Sequence, residues 1–199
     1  MRRMNAMAAV LALALAAAGG AAALEIGSGI PEASVKMKNV DGRELALAES
    51  TGPKGLLVVF TCNHCPWAQA WEARLVALGN EYRGKGIGVV AVNANDPSAY
   101  PEDGFGPMQE RARQKGYEFP YVVDATSGVA RAFSATRTPE AYLFDAQGKL
   151  VYTGAIDDNA QDPAAVTSRY LKDALDAVVG GTAIPLARTK ALGCSIKFR

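Results

Sequence analysis

The sequence predicts a single α/β domain whose central mixed sheet is flanked by helices and preceded by an N-terminal β-hairpin. Two continuous apolar runs, 56–61 and 87–92, have the pattern of strands that are buried on both faces. The stretch between them, 64–83, places apolar residues at steps of three and four, which predicts a helix. A strand, a helix and a second strand in this order form a crossover unit that joins parallel strands.

The remaining elements follow from turn signals and periodicity. Residues 35–47 alternate around Asp41-Gly42, which predicts the hairpin. The polar loop 93–106 is long for a compact domain, which favours a functional loop or an insertion. Beyond it we expect helices at 107–115 and 127–133, strands at 121–123, 141–144 and 150–153, and a final helix at 163–179.

The first 23 residues have the pattern of an export signal. Arg2 and Arg3 form a short basic region, an apolar run follows over 7–18, and small residues end at Ala23. We predict cleavage after Ala23, which places the mature protein in the periplasm or outside the cell, without stable membrane association. The alternative is an uncleaved anchor, but the apolar run is short for a bilayer span.

After the signal we expect a linker at 24–34, one domain at 35–181 and a C-terminal tail at 182–199. The chain has 199 residues, of which 49% are hydrophobic and 21% are charged, and this composition excludes a disordered or fibrous protein. The formal net charge is +1 and falls to −1 once Arg2 and Arg3 are removed. A near-neutral chain without a basic run gives no electrostatic basis for nucleic-acid binding.

Residues 61–67, with the sequence Thr-Cys-Asn-His-Cys-Pro-Trp, carry the clearest chemical signal. Cys62 and Cys65 form a C-x-x-C pair at the predicted start of a helix, where unpaired N–H groups and the helix dipole stabilise a thiolate. We expect Cys62 to be the exposed nucleophile and Cys65 to be the resolving cysteine. His64, the only histidine, is predicted to stabilise the Cys62 thiolate and so to make the disulfide more oxidising.

Three other interpretations of the C-x-x-C pair remain open but are disfavoured. A structural zinc site normally has four ligands, and apart from His64 only Cys194 could join the pair. A c-type haem site has a histidine directly after the second cysteine, where this chain has Pro66. A static disulfide that closes so short a loop gains little entropy.

Three further features are candidates for a role near the cysteine pair. Cys194 is either an inert thiol or a third redox cysteine that reaches the pair. Trp67 is a candidate for the rim of the site, whereas Trp71 is predicted to lie in the core. Pro139 directly precedes a predicted strand, and from the residues alone it is a trans strand-start proline or a cis proline.

Taken together, the elements and motifs resemble the thioredoxin fold, and within it the peroxiredoxin-like redoxins of the AhpC/TSA type. The resemblance covers residues 33–199 and rests on the stretches 60–66, 92–97, 100–103, 119–121, 138–139 and 193–197. It implies that Pro139 is cis and packs against the cysteine pair, and that the neighbouring backbone pairs with an extended substrate segment. Trp67, Arg137, Thr138 and Pro139 would then form the active-site wall.

The chain departs from the families that it resembles at three positions. Thioredoxins carry a buried acid six residues before the first cysteine, where this chain has Leu56. Relatives often have a cysteine just before Thr-Pro, and Arg137 stands there instead, as a permanent cation that favours a thiolate. Peroxiredoxins have Thr or Ser three residues before the peroxidatic cysteine, where Val59 stands, and this argues against an efficient peroxidase.

These observations lead to three function hypotheses. The first is an exported thiol–disulfide oxidoreductase that acts on protein or small-molecule thiols together with an unidentified redox partner. The second is a thiol peroxidase with an antioxidant role, in which Cys65 or Cys194 resolves an oxidised Cys62. The third is a copper-binding thioredoxin-like protein, which is disfavoured because His64 is the only histidine. We expect neither a cofactor nor a metal for the first function.

Overall fold

A computed structural model describes residues 23–199, so the predicted export signal lies outside the described residues except for Ala23. The strands are β1 (Met37–Asn39), β2 (Glu44–Leu45), β3 (Gly55–Phe60), β4 (Ile87–Asn93), β5 (Tyr121–Val123), β6 (Arg137–Thr138), β7 (Glu140–Asp145), β8 (Leu150–Gly154) and β9 (Cys194–Ser195). The helices are α1 (Pro66–Arg83), α2 (Phe105–Lys115), α3 (Gly128–Ala132) and α4 (Tyr170–Gly180). Short 3₁₀ helices span Ala48–Ser50, Pro101–Asp103 and Pro163–Ala165.

The strands form the mixed central sheet that the sequence predicts. One set has the order β2-β1-β5-β4, with β4 and β5 parallel, and the other has the antiparallel order β3-β7-β8. The two sets meet where the N–H of Thr61, just beyond β3, donates to the carbonyl of Val92 in β4 at 2.9 Å. The predicted N-terminal hairpin is confirmed, with Met37 opposite Leu45.

Strand β3 separates two hydrophobic clusters, because its side chains alternate between the faces of the sheet. Leu57 and Val59 pack into the cluster that α1, α2 and α4 cover. Leu56 and Phe60 pack into the opposite cluster, which α3 covers. All six residues of β3 are buried, as the continuous apolar run predicts. The motif therefore directly follows a strand that is buried on both faces of the sheet.

Two predicted helices begin later than the sequence analysis placed them. Helix α1 begins at Pro66 and not at residue 64, because Cys65 has extended backbone angles (φ −68°, ψ 122°), as residues before proline usually do. The final helix begins at Tyr170 and not at residue 163. Residues 163–168 bond instead to nearby acids: Asp162 accepts from Ala164 N at 2.9 Å, and Asp158 accepts from Thr167 N at 3.0 Å.

The C-terminal segment returns to the start of α1. It first runs beside β8, where the N–H of Thr189 donates to the carbonyl of Thr153 at 3.0 Å. It then forms β9, which pairs antiparallel with β6. Within residues 23–199 the structure contains no helix that is long and apolar enough to cross a lipid bilayer.

Candidate active site

The cysteine motif forms the turn between β3 and α1. Cys65 is the N-cap of α1 and Pro66 is its first residue, a position where the missing N–H leaves no bond unmade. Both cysteines are reduced and buried, with Cys62 4% and Cys65 0% exposed. The prediction that Cys62 is exposed is therefore wrong. The motif turn is held inward by the loop before α2, and Thr138 packs on the Cys62 sulfur.

Asp103 is the residue that holds the motif turn in place. Its carboxylate is completely buried and accepts four hydrogen bonds. Two come from the backbone N–H groups of Asn63, at 2.6 Å, and His64, at 3.2 Å. The other two come from His64 Nδ1, at 2.5 Å, and from the amide of Asn95, at 2.8 Å. A buried carboxylate with four donors is a stable anchor, because each of its oxygens is fully satisfied.

His64 lies between Asp103 and an aromatic ring. Its imidazole stacks on Tyr100, with ring centroids 4.0 Å apart and an interplanar angle of 13°. The stack and the bond to Asp103 fix the ring orientation. The motif alone predicts that His64 acts on Cys62, whereas the structure also joins His64 to Asp103, 39 positions away. Any electrostatic effect on Cys62 therefore comes from His64 and Asp103 together.

Thr138 contacts both sulfurs of the pair. Its hydroxyl lies 3.3 Å from Cys62 Sγ, and its carbonyl oxygen lies 3.2 Å from Cys65 Sγ. A carbonyl can only accept, so the sulfur beside it must be a protonated thiol to form a hydrogen bond. A hydroxyl can donate, so it can stabilise a thiolate on Cys62. The two contacts therefore favour a Cys62 thiolate next to a Cys65 thiol.

The protons of the pair are shared between the two sulfurs. A hydrogen bond from the Cys62 thiol lowers the pKa of Cys65 to about 4. The same bond, with burial and the charge of Asp103, raises the pKa of Cys62 well above its usual range. These shifts would leave the proton on Cys62. The two Thr138 contacts favour the opposite arrangement, with the proton on Cys65, and we assign the thiolate to Cys62 on their geometry. A hydrogen bond from the remaining thiol stabilises the thiolate, so it lowers the first pKa of the reduced pair.

The residues that the resemblance places in the active-site wall lie at the junction of β6 and β7 and at the start of α1. The Thr138–Pro139 peptide bond is cis, as the resemblance implies. The Arg137 side chain is exposed and donates to the carbonyl of Gly193 at 3.3 Å. Trp67 is 38% exposed and stacks on Trp71, with ring centroids 5.9 Å apart. Trp71 lies in the core, as predicted.

Cys194 lies beside the cysteine pair. It packs against the small cluster of Cys62, Cys65 and Ala68 at the start of α1. Strand β9 places it directly opposite Thr138. The backbone of β6 is thus already paired with the chain's own C-terminal segment, at the place where the resemblance puts an extended substrate segment. The structure brings all three cysteines of the chain together.

One group within residues 23–199 could in principle hold a metal ion. The ligand atoms of Cys62, His64 and Asp103 lie within 4.8 Å of one another. Thiolate, imidazole and carboxylate are ligands for zinc or copper. Binding there would displace hydrogen bonds from the Asp103 carboxylate, whose oxygens already have four donors. The arrangement favours a hydrogen-bonded cluster over a metal centre.

Asp103 and Asn95 are the site residues that sequence reasoning missed. Asp103 is 39 positions from His64, so no local spacing connects them. Two signals indicate this segment without assigning a role to either residue: the length of the 93–106 loop, and the stretches 92–97 and 100–103 that contribute to the resemblance. Asn95 also accepts the backbone N–H of Lys197 at 2.7 Å, so it joins this loop to the C-terminal segment.

Comparison with known proteins identifies the family and the fold of the chain. Residues 26–153 match the sequence profile of the AhpC/TSA family. The thiol-disulfide oxidoreductase ResA of Halalkalibacterium halodurans is 27% identical over 124 residues, which cover 61% of this chain and 66% of that protein. The chain therefore spans slightly less than two thirds of the length of this curated relative.

Two solved structures are similar in fold. An uncharacterized conserved protein from Geobacillus kaustophilus has a TM-score of 0.82 and 37% identity, over 88% of this chain and 93% of that one. A thioredoxin-like protein, solved in solution in its oxidized form, has a TM-score of 0.65 and 20% identity, over 80% of this chain and 99% of that one. The predicted thioredoxin-like fold is confirmed.

Proposed function

We propose that this chain, which belongs to the AhpC/TSA family, is a redoxin-type thiol oxidoreductase whose catalytic dithiol is formed by Cys62 and Cys65. One observation carries the proposal: the two reduced sulfurs lie at the start of α1 and both contact Thr138. The reaction would be disulfide exchange with a protein or small-molecule thiol. A separate redox partner would return the pair to its starting state.

In the proposed reduction of a substrate, the Cys62 thiolate attacks one sulfur of the substrate disulfide. A mixed disulfide forms and the other substrate sulfur leaves as a thiolate. Cys65 then gives up its proton and attacks Cys62, so that the reduced substrate leaves and the Cys62–Cys65 disulfide remains. Two electrons have moved from the pair to the substrate. Oxidation of a substrate dithiol would follow the same steps in reverse.

His64 and Asp103 act in this scheme as positioning residues. The backbone bonds from Asn63 and His64 to Asp103 hold the turn that presents Cys62. Arg137 would tune the pair only through its positive charge, because its guanidinium contacts Gly193. Trp67, Thr138 and Pro139 would form the surface on which a substrate rests.

We also propose that the protein works after export. The support is the N-terminal sequence, with Arg2 and Arg3 before an apolar run and small residues up to Ala23. Protein disulfides persist in an oxidising compartment, so a dithiol that exchanges with them would meet its substrates there. The cleavage site can be read by N-terminal sequencing of the protein recovered from the cell envelope.

The assay that tests the proposal compares two electron acceptors. We expect the reduced wild-type protein to reduce the insulin disulfides with a dithiol as the electron source. We expect much slower loss of thiols when micromolar hydroperoxide is the oxidant. Fast reaction with hydroperoxide and none with insulin would contradict disulfide exchange as the main activity.

One contact favours thiol peroxidase activity as the second candidate function. The sequence lacks the Thr or Ser of peroxiredoxins, since Val59 stands at that position. Thr138 nevertheless places a hydroxyl 3.3 Å from Cys62 Sγ, from a different part of the chain. A peroxidase reaction would oxidise Cys62 to a sulfenic acid, which Cys65 would then condense with. The hydroperoxide arm of the assay above measures this activity.

A further inference from the structure

We propose that Cys194 is an internal redox partner of Cys65, to which the disulfide of the oxidised protein moves from Cys62. This inference rests on the proposed function of the Cys62–Cys65 pair and adds a third sulfur to it. The oxidised chain would then exist in two forms, one with a Cys62–Cys65 disulfide and one with a Cys65–Cys194 disulfide.

The backbone of the C-terminal segment fixes the position of Cys194. Strand β9 pairs with β6 so that Cys194 lies opposite Thr138, whose carbonyl contacts Cys65 Sγ at 3.2 Å. Gly193 passes so close to β6 that a Cβ there would stand 2.2 Å from the Thr138 carbonyl oxygen. Only a residue without a side chain allows this approach.

The residues after Cys194 anchor the segment at several points. The N–H of Ile196 donates to the carbonyl of Thr136 at 3.0 Å, and its side chain is buried among the core residues that α3 covers. The N–H of Lys197 donates to Asn95 at 2.7 Å, and its carbonyl accepts from Asp96 at 2.7 Å. Bonds on both backbone edges hold the segment in one register, so Cys194 stays at the pair.

Cys194 packs against the cluster of Cys62, Cys65 and Ala68 at the start of α1. Burial raises the pKa of Cys194 to about 11, and the Cys65 sulfur adds to the rise. Cys194 must therefore lose its proton before it can attack the pair.

The exchange needs no external oxidant or reductant. Cys194, which is partly exposed, gives its proton to solvent. Its thiolate then attacks Cys65 Sγ, so that the Cys65–Cys194 bond forms and the Cys62–Cys65 bond breaks. Cys62 leaves as a thiolate, which the Thr138 hydroxyl at 3.3 Å can stabilise. The number of disulfides is unchanged. Cys194 thus takes the place of a substrate cysteine, on a strand that already occupies the backbone of β6.

Peptide mapping distinguishes the two disulfides directly. Trypsin releases Cys62 and Cys65 together in the peptide 55–74, and Cys194 in the separate peptide 191–197. The reduced full-length protein is oxidised with diamide, its free thiols are alkylated, and it is digested without reduction. We expect wild type to yield joined 55–74 and 191–197 peptides with Cys62 alkylated, alongside the internally bridged 55–74 peptide. In Cys62→Ser, the joined peptides should become the main product.

Two further substitutions test whether position, and not merely the presence of a thiol, produces the bond. In the Cys62→Ser background, Gly193→Ala should lower the yield of joined peptides about tenfold or more, because the added Cβ must push the strand away from Thr138. Ser195→Ala, at the next exposed position of β9, is the matched control and should leave the yield unchanged. Equal yields in the two variants would contradict the positional argument.

The outcomes separate this inference from the proposed function. If wild type reduces insulin but yields no joined peptides, Cys194 is not a redox partner while the dithiol function stands. If joined peptides form but insulin is not reduced, the proposed exchange activity fails and the pairing of Cys65 with Cys194 stands. Joined peptides that appear only between two copies of the chain, in covalent dimers, would also overturn the inference.

Discussion

Cys62→Ser is expected to abolish disulfide exchange, whereas Cys65→Ser is expected to trap the mixed disulfide with the substrate. Without Cys62 the nucleophile is missing, and we expect the rate of insulin reduction to fall by about three orders of magnitude or more. Without Cys65 the first exchange still takes place, but nothing resolves its product. Mass spectrometry of the protein after incubation with a model disulfide measures the trapped adduct.

The two variants serve as matched controls for each other, because each replaces one buried sulfur by oxygen. The assignment of the thiolate to Cys62, based on the two Thr138 contacts, predicts adducts in Cys65→Ser alone. Adducts that accumulate in Cys62→Ser and not in Cys65→Ser would reverse the assignment and make Cys65 the nucleophile. Cys194 is kept in both variants, so mapping of the adduct must identify the modified cysteine.

Removal of the Asp103 carboxylate is the second substitution with a large expected effect. In Asp103→Ala, four donors lose their acceptor inside the protein, and we expect the free energy of unfolding to fall by about 3 kcal/mol. Asp103→Asn keeps the shape of the side chain but replaces one carboxylate oxygen by an amide NH₂ group, which then faces another donor. We expect the free energy of unfolding of this variant to fall by about 2 kcal/mol. Denaturant unfolding of the reduced protein measures both values.

Glu102→Gln is the control for the Asp103 variants. It removes a carboxylate one position earlier, at an exposed site, and should change the free energy of unfolding by less than about 0.5 kcal/mol. The Asp103 variants should also exchange disulfides more slowly, because the turn that carries Asn63 and His64 loses its anchor. If Asp103→Ala unfolds like Glu102→Gln, the carboxylate does not hold the motif in the way described.

Much of the fold could be predicted from local patterns. The runs that became β3 and β4 are apolar throughout because the sheet is covered on both faces, and α1 shows a clear helical period. The start of α1 was placed two residues early, although proline at position 66 restricts Cys65 to extended backbone angles. The final helix was placed seven residues early because Val166 continues its apolar period, whereas Asp158 and Asp162 bind the backbone there.

The candidate site could be predicted only in part, because its contacts join distant segments. Cys62, His64 and Cys65 lie within a single short stretch, so the sequence alone identifies them as a motif. Thr138 and Cys194 lie 76 and more positions away from Cys62, and only the fold brings them to the sulfurs. Asp103 lies in a loop without periodicity, so nothing in the sequence distinguishes it from the other acids of that loop.

The reduction potential as a function of pH tests the central claim, which is that the reduced pair holds a single proton. Equilibration with glutathione at several pH values between about 5 and 8, followed by mapping of the peptide 55–74, gives the potential of the pair. If reduction takes up one proton with two electrons, the potential falls by about 30 mV per pH unit. Because the thiolate is stabilised, we also expect a potential less negative than the −270 mV or so of thioredoxin. A slope of about 59 mV per pH unit, which means uptake of two protons, together with a potential near that of thioredoxin, would contradict the account.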